Sequence, residues 1–141
     1  MDGETDITAL LRSLAPELDD REYVFATGTE TEVAQVDRPL GLFREREGTT
    51  IICLLDEAVR TGLRHSGRFC RITLAVHSSL DAIGLTARVA HALAAEGIAC
   101  NGIAGFFHDH VFVPATRARD AMAALRKLSQ AGASGPADSD T

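Results

Sequence analysis

The chain has 141 residues, of which 45% are apolar and 24% charged, a balance that excludes disorder over its whole length and suits one ordinary domain or two very small ones. No apolar run approaches the roughly 18–20 residues of a membrane span, and the acidic N-terminus predicts no secretory signal, so we expect a cytoplasmic protein. The net charge of -6 argues against nucleic acid or anionic membranes as partners, because both attract basic proteins.

The charge is unevenly distributed along the chain. Residues 1–68 carry 8 basic and 14 acidic side chains, a balance of -6, whereas residues 69–141 carry 6 of each. This asymmetry favours two units with different surfaces over one uniform domain. We place the first unit at residues 1–66, the second at 67–130, and a disordered tail at 131–141, where Gly, Ser, Ala, Pro and Asp dominate.

The first half predicts a helix, three strands and a second, short helix. An N-terminal helix is indicated by one apolar stripe at helical spacing, formed by Ile7, Leu10, Leu11 and Leu14. Three strands are predicted over residues 23–27, 40–46 and 49–55, the last two as a hairpin. The polar segment 29–37 is predicted as a loop. Asp56 is expected to cap the short helix, which ends at Gly62.

The second half alternates strands and helices more regularly. Strands are predicted over residues 69–76, 98–105 and 110–113. A helix capped by Ser78 and Asp81 has an apolar face formed by Leu85, Val89 and Leu93. A last helix, capped by Thr116, has an apolar face formed by Ala118, Ala121, Met122, Leu125 and Leu128. This order predicts an α+β, ferredoxin-like unit short of its final strand. Because the first half is incomplete too, we expect the two units to share a sheet or exchange strands.

Four segments of the chain together resemble a known family. They are residues 14–19, 43–48, 72–87 and 105–114, of which the third contains HSSLDAIGLTA and the fourth is GFFHDHVFVP. In combination they resemble small bacterial proteins built from two tandem ACT-type units, related to the ACT units of cytosolic arginine sensors of the CASTOR type. The resemblance extends over most of the chain apart from its tail.

The resemblance implies two ferredoxin-like ACT-type units, related to the βαββαβ order, with antiparallel sheets. It also implies a regulatory and non-catalytic role, because ACT units bind amino acids or other small effectors and need no cofactor. Such units pair side by side, which implies a homodimer. In this sequence the ligand-contacting loop, between the first strand and first helix of the second unit, falls at residues 77–85.

Ten residues are candidate ligand contacts. A loop that leads into a helix N-terminus favours an anion such as the carboxylate of an amino acid, because free N–H groups meet there. A glycine in such a loop allows close approach of backbone or ligand. The alternative is that the polar residues only cap the helix. The candidates are Ser78, Ser79, Asp81, Ile83, Gly84, Leu85, Gly105, Phe107, His108 and Asp109.

The segment His108-Asp109-His110 has three interpretations. The two histidines, with His77 or Asp109 as a further ligand, are candidate metal ligands. Alternatively, Asp109 orients a histidine base in a small metal-dependent or acid/base enzyme. In the third interpretation the segment is a turn between antiparallel strands. Because neither a nucleophile motif nor a further ligand of regular spacing accompanies the segment, we expect no metal and no catalytic residue, and the enzyme remains the alternative hypothesis.

Overall fold

The computed structural model describes residues 11, 14–75 and 82–134, without the side chains of 82, 83 and 132–134. The chain forms two compact units. The continuous unit is Asp20–Cys70, and the discontinuous unit combines Met1–Asp19 with Arg71–Thr141. The predicted α+β class with antiparallel strands is confirmed. The sequence analysis placed a boundary between two contiguous domains after residue 66, and this boundary stays a prediction.

The continuous unit is built on four strands. They are β1 (Pro16–Gly28), β2 (Gly41–Arg44), β3 (Thr49–Leu54) and β4 (Arg64–Leu74), in the order β2-β3-β1-β4. β2 and β3 form the predicted hairpin, with Leu42 opposite Ile51. β1 pairs antiparallel with β3, with Val24 opposite Cys53. The residue ranges of β1 and β4 each include residues of both units, and the expected sharing of a sheet or exchange of strands stays a prediction.

The segment predicted as a polar loop contains a short helix, α1 (Glu30–Val33). The Thr29 hydroxyl accepts a hydrogen bond from the backbone N–H of Glu32 at 3.2 Å. The Glu32 carboxylate accepts one from the N–H of Thr29 at 2.8 Å. This reciprocal pair is a capping box, which satisfies two N–H groups at the helix start. The loop prediction was wrong here because it followed polarity and missed the T-x-x-E spacing.

The predicted short helix is present as α2 (Leu55–Thr61), and it ends at Gly62 as expected. Gly62 has a φ of +72°, and the N–H of Leu63 donates to the carbonyl of Ala58 at 3.1 Å. This is the 6→1 bond of a Schellman end. The N-cap is Leu54 and not Asp56, because β3 runs directly into the helix without a turn. Asp56 lies in the first turn, where its carboxylate interacts favourably with the positive end of the helix dipole.

Glu57 of α2 organises a polar network on the continuous unit. Its carboxylate accepts hydrogen bonds from Arg60 at 2.7 Å and from the backbone N–H of Asp37 at 2.9 Å. Arg60 also donates to the carbonyl of Gln35 at 3.0 Å. The hydrogen bonds from Arg60 and from the Asp37 backbone lower the pKa of Glu57 to about 2. The ionised carboxylate therefore fastens the segment before β2 to α2.

Because of this network, we expect the free energy of unfolding to fall as the pH is lowered, and we expect Glu57→Gln to make that fall smaller. The pKa of Glu57 is about 2 when folded against 4.5 ordinarily, so its contribution is complete above pH 4.5 and is lost as the pH falls towards 2. Urea unfolding from about pH 7 to about pH 2.5 measures this loss. Glu47→Gln is the control, because Glu47 forms an exposed and longer ion pair with Arg46, at 3.7 Å. Equal acid slopes for wild type and Glu57→Gln would refute the prediction.

In its described residues, the discontinuous unit combines strands with two longer helices. Its strand order is β1-β4-β6-β5, with β5 (Asn101–Ala104) antiparallel to β6 (Asp109–Pro114). The helices are α3 (Ala82–Ala95) and α4 (Ala118–Ser134). The predicted apolar face of α3 is confirmed, because Leu85, Val89 and Leu93 are all buried. The capping by Ser78 and Asp81 lies outside the described residues.

β5 is shorter than the predicted strand 98–105. Gly97, with a φ of +72°, ends α3, and the N–H of Ile98 donates to the carbonyl of Leu93 at 2.9 Å. Ile98 is therefore the buried residue of a second Schellman end and not part of the strand. An apolar residue directly after the glycine is typical of such helix ends.

The last helix differs from its prediction at both ends. It is entered through a 3₁₀ turn, Ala115–Arg117, so Thr116 is not its N-cap. α4 continues to Ser134, four residues into the predicted tail, as its alanines favour. Residues 135–141 lie outside the described part of the chain. So does the predicted N-terminal helix, except for Leu11 and Leu14, both of which are buried.

Candidate functional site

A cavity of about 330 Å³ lies in the discontinuous unit, lined by α3, the end of β4 and the β5–β6 hairpin. Its wall is mostly aliphatic. The buried side chains in the wall are Leu74, Leu85, Val89 and Val111. The exposed lining residues on α3 and β5 include small ones, Ala90, Gly102 and Ala104. The arrangement provides a small apolar compartment that is accessible from the surface.

Asp109 provides the one carboxylate among the described residues that line the cavity. It is the first residue of β6 and lies opposite Ala104 of β5. Side chains alternate along a strand, so Asp109 lies on the same side of the sheet as Val111. The described lining therefore combines an aliphatic wall with one carboxylate, that of Asp109, and one imidazole, that of His110.

His110 of β6 also lines the cavity. Its Nδ1 lies 3.0 Å from the Thr73 hydroxyl oxygen. Burial lowers the pKa of His110, and the neighbouring Arg71 and His108 lower it further, while Asp109 opposes them. The imidazole is therefore neutral near pH 7 and adds no positive charge to the site.

The cavity brings together two of the ten candidate residues, Leu85 and Asp109. Gly84 is part of α3 and is not among the lining residues. The remaining candidates from the predicted loop, Ser78, Ser79 and Asp81, lie outside the described residues, and so does the side chain of Ile83. These residues remain candidates by prediction.

The last three candidates belong to the turn between β5 and β6. The N–H of Gly105 donates to the carbonyl of His108 at 2.9 Å, which closes the turn. A Cβ on Gly105 would lie 3.0 Å from that same carbonyl oxygen, so glycine suits the close backbone approach of the turn. Phe106 and Phe107 are 96% and 75% exposed, with their ring centroids 4.9 Å apart. Gly105, Phe107 and His108 are not among the cavity's lining residues.

Several lining residues were not candidates in the sequence. Leu74, Val89 and Val111 fit the strand and helix periodicities, which do not separate a cavity wall from a filled core. Cys100 is half-buried, and burial raises the pKa of its thiol, so it is a neutral part of the wall near pH 7. Gly102 gave no signal, because it is not followed by a helix as a phosphate loop would be.

The structure brings no recognisable metal centre together in the ranges that it describes. No group of three His, Cys, Asp or Glu side chains there could hold a metal ion. His77 lies outside those ranges. As to membranes, none of the helices within the described part is long and apolar enough to cross one.

Comparison with known families identifies the class of protein. Two family models, both of the ACT domain, match residues 2–70 and 68–127. The chain therefore belongs to the ACT domain family and carries two such domains in tandem, as the sequence resemblance implied. None of the curated proteins matches the chain.

Solved structures agree with this assignment. A protein of unknown function from Vibrio cholerae, described as a possible transport protein, is 40% identical, with a TM-score of 0.81 over 91% of this chain and 99% of its own. A protein from Agrobacterium tumefaciens is 19% identical, with a TM-score of 0.67, and the match covers 82% and 89% of the two chains. The ligand-free regulatory subunit of aspartate kinase from Thermus thermophilus is 12% identical, with a TM-score of 0.63 over 82% and 97%. The last two are similar in fold alone.

Proposed function

We propose that the protein is a non-catalytic, cytoplasmic regulatory protein that binds an amino acid in the cavity of its discontinuous unit. Membership of the ACT family supports a regulatory, ligand-binding role. The observation that carries the choice of site is the cavity itself, in which Asp109 faces an aliphatic wall that includes Leu85. Its volume is at the lower end of ordinary ligand pockets, which suits a single small metabolite.

The proposal is tested by identifying what the native protein carries. Mass spectrometry of small molecules released from the purified, full-length chain should detect an amino acid. Thermal unfolding in the presence of each common amino acid in turn should show stabilisation by at least one of them, because ligands that bind only the folded state raise its stability. Absence of both results would refute the proposal. Chemical conversion of the bound molecule would favour the enzyme alternative instead.

We further propose that the chain forms a homodimer through the β5 edge, which we define as Ile103, Phe106 and Phe107. All four residues of β5 are exposed, and among the described strands β5 pairs only with β6. An open strand edge has N–H and C=O groups available for pairing. Exposed aromatic rings beside such an edge are typical of protein interfaces. A second copy would cover both features at once.

Phe106→Glu is therefore expected to weaken self-association. A large buried anchor contributes about 2 kcal/mol or more at an interface, equal to roughly a 30-fold change in the dimer dissociation constant. Sedimentation velocity over a range of micromolar concentrations measures it. Phe43→Glu is the matched control, because Phe43 is 71% exposed on β2, outside the β5 edge. A wild-type chain that sediments only as a monomer would refute the dimer.

A further inference from the structure

We infer that the cavity selects an effector with a short aliphatic chain and an ammonium group, bound wholly within the discontinuous unit. This inference rests on the proposed function, because it names the chemical class of the effector. It depends on three properties of the described lining residues, which are the aliphatic wall, the single carboxylate and the small residues of α3 and β5.

The wall selects against polar side chains in the ligand. Leu74, Leu85, Val89 and Val111 are buried around the cavity and offer only aliphatic side-chain atoms. An apolar group placed against them is removed from water at no cost in hydrogen bonds. A polar group at the same place would lose its hydrogen bonds to water without gaining partners from these side chains. The part of the ligand that contacts these four residues is therefore aliphatic, whereas Thr86, Cys100 and His110 provide the uncharged polar side chains elsewhere in the described lining.

The charge of the site selects for a cation. Asp109 is the one carboxylate in the described wall, and no Lys or Arg lines it. His110 also lines the cavity, but its lowered pKa leaves the imidazole neutral near pH 7, so it adds no positive charge. A ligand ammonium group gains attraction to Asp109, whereas a carboxylate on the ligand's side chain would be repelled without compensation. The carboxylate of an amino acid must accordingly stay at the solvent side of the cavity.

Small residues keep the space open. Ala90 of α3 is exposed and lines the cavity. A Cβ on Gly102 of β5 would have no atom within 4 Å, so the backbone there leaves room beside it. A larger side chain on α3 at residue 90 would occupy space that the ligand needs, without replacing any buried group.

Three probes of similar shape separate the contribution of the ligand's aliphatic chain from the contributions of its ammonium and carboxylate groups. They are L-leucine, 3-methylbutylamine, which lacks the carboxylate, and 4-methylpentanoate, which lacks the amine. Calorimetric titration of the full chain should detect binding of the first two, with 4-methylpentanoate weaker by roughly 10- to 100-fold. Asp109→Asn should remove that difference. Equal affinity of the amine and the carboxylate for the wild-type chain would overturn the role of Asp109.

The location is tested by a matched pair of variants on α3. Ala90→Leu should weaken L-leucine binding by at least about tenfold with the melting temperature preserved. Ala94→Leu should bind as the wild type does, because Ala94 is also exposed but does not line the cavity. Unchanged binding in Ala90→Leu would overturn the location. If that variant melts early, Gly102→Ala provides a second test by the same titration. Weaker binding of L-leucine would support the location, and unchanged binding would overturn it.

The outcomes distinguish this inference from the proposed function. If the thermal panel detects an acidic or aromatic amino acid and none of the three probes binds, the regulatory function stands and the ligand class is refuted. If neither the panel nor the probes stabilise the chain and no metabolite is released, the proposed function itself fails. Binding of L-leucine and 3-methylbutylamine that Ala90→Leu blocks supports both.

Discussion

Phe112→Ala is expected to lower the free energy of unfolding by about 3–5 kcal/mol, a large part of the roughly 5–15 kcal/mol that stabilises an ordinary domain. Phe112 is 2% exposed and is the largest of the fully buried side chains among the described residues. Its neighbours in β6, Val111 and Val113, are buried as well, so the truncated side chain leaves a cavity that the rigid strand cannot close. The loss combines the transfer of apolar surface with the cost of that cavity.

Urea unfolding followed by circular dichroism measures this effect, which suits a chain without tryptophan. Phe43→Ala is the control, because it removes the same ring from a side chain that is 71% exposed and lies outside the β5 edge. It should change the free energy of unfolding by no more than about 0.5 kcal/mol. Similar losses for the two variants would mean that Phe112 is not part of a tightly packed core.

Gly67→Ala is expected to lower the free energy of unfolding by about 2–5 kcal/mol, from left-handed strain together with steric overlap. Gly67 has a φ of +75°, a conformation that disfavours a side chain. A Cβ there would also lie 2.2 Å from the ring of Phe69. The Phe69 ring makes an edge contact with the Phe25 ring, with centroids 5.3 Å apart. If the Phe69 ring moves away from the new Cβ, this contact is weakened.

Gly62→Ala separates the two causes. Gly62 has nearly the same φ, +72°, but a Cβ at this residue would have no atom within 4 Å. Its replacement should therefore cost only the strain of about 1–2 kcal/mol. In a Phe69→Ala background, Gly67→Ala should fall to the cost of Gly62→Ala, as a double-mutant cycle would measure. Equal costs for the two glycines in the wild-type background would show that the ring contact is unimportant.

Several elements could be predicted from the sequence because their causes are local. The apolar spacing of Leu85, Val89 and Leu93 defines one face of α3 wherever that helix packs. Gly62 and Gly97 end their helices because a residue in the left-handed region is needed there. The combination of sequence segments also indicated the ACT family, which the family models confirm.

The full extent of the strands depended on tertiary pairing. The start of β1 is rich in acidic residues and lacks a regular alternation, so only residues 23–27 were predicted as a strand. The structure extends the strand back to Pro16. Within the discontinuous unit, Asp19 forms an ion pair with Arg71 of β4 at 3.4 Å, across a sequence separation of 52 residues. Such a partner cannot be identified from the neighbouring sequence.

Part of the candidate site could be predicted from the sequence, and part depended on the tertiary structure. The sequence by itself identified Leu85 and Asp109 as candidates, one from the resemblance to the ligand loop and one from an unusual histidine-aspartate segment. Only the tertiary structure placed both on one cavity and gave Ala90 and Gly102 a place beside them. Periodicity indicates which face of an element is buried, but the presence of a cavity depends on how closely the packed side chains of α3, β4, β5 and β6 fill the space between them.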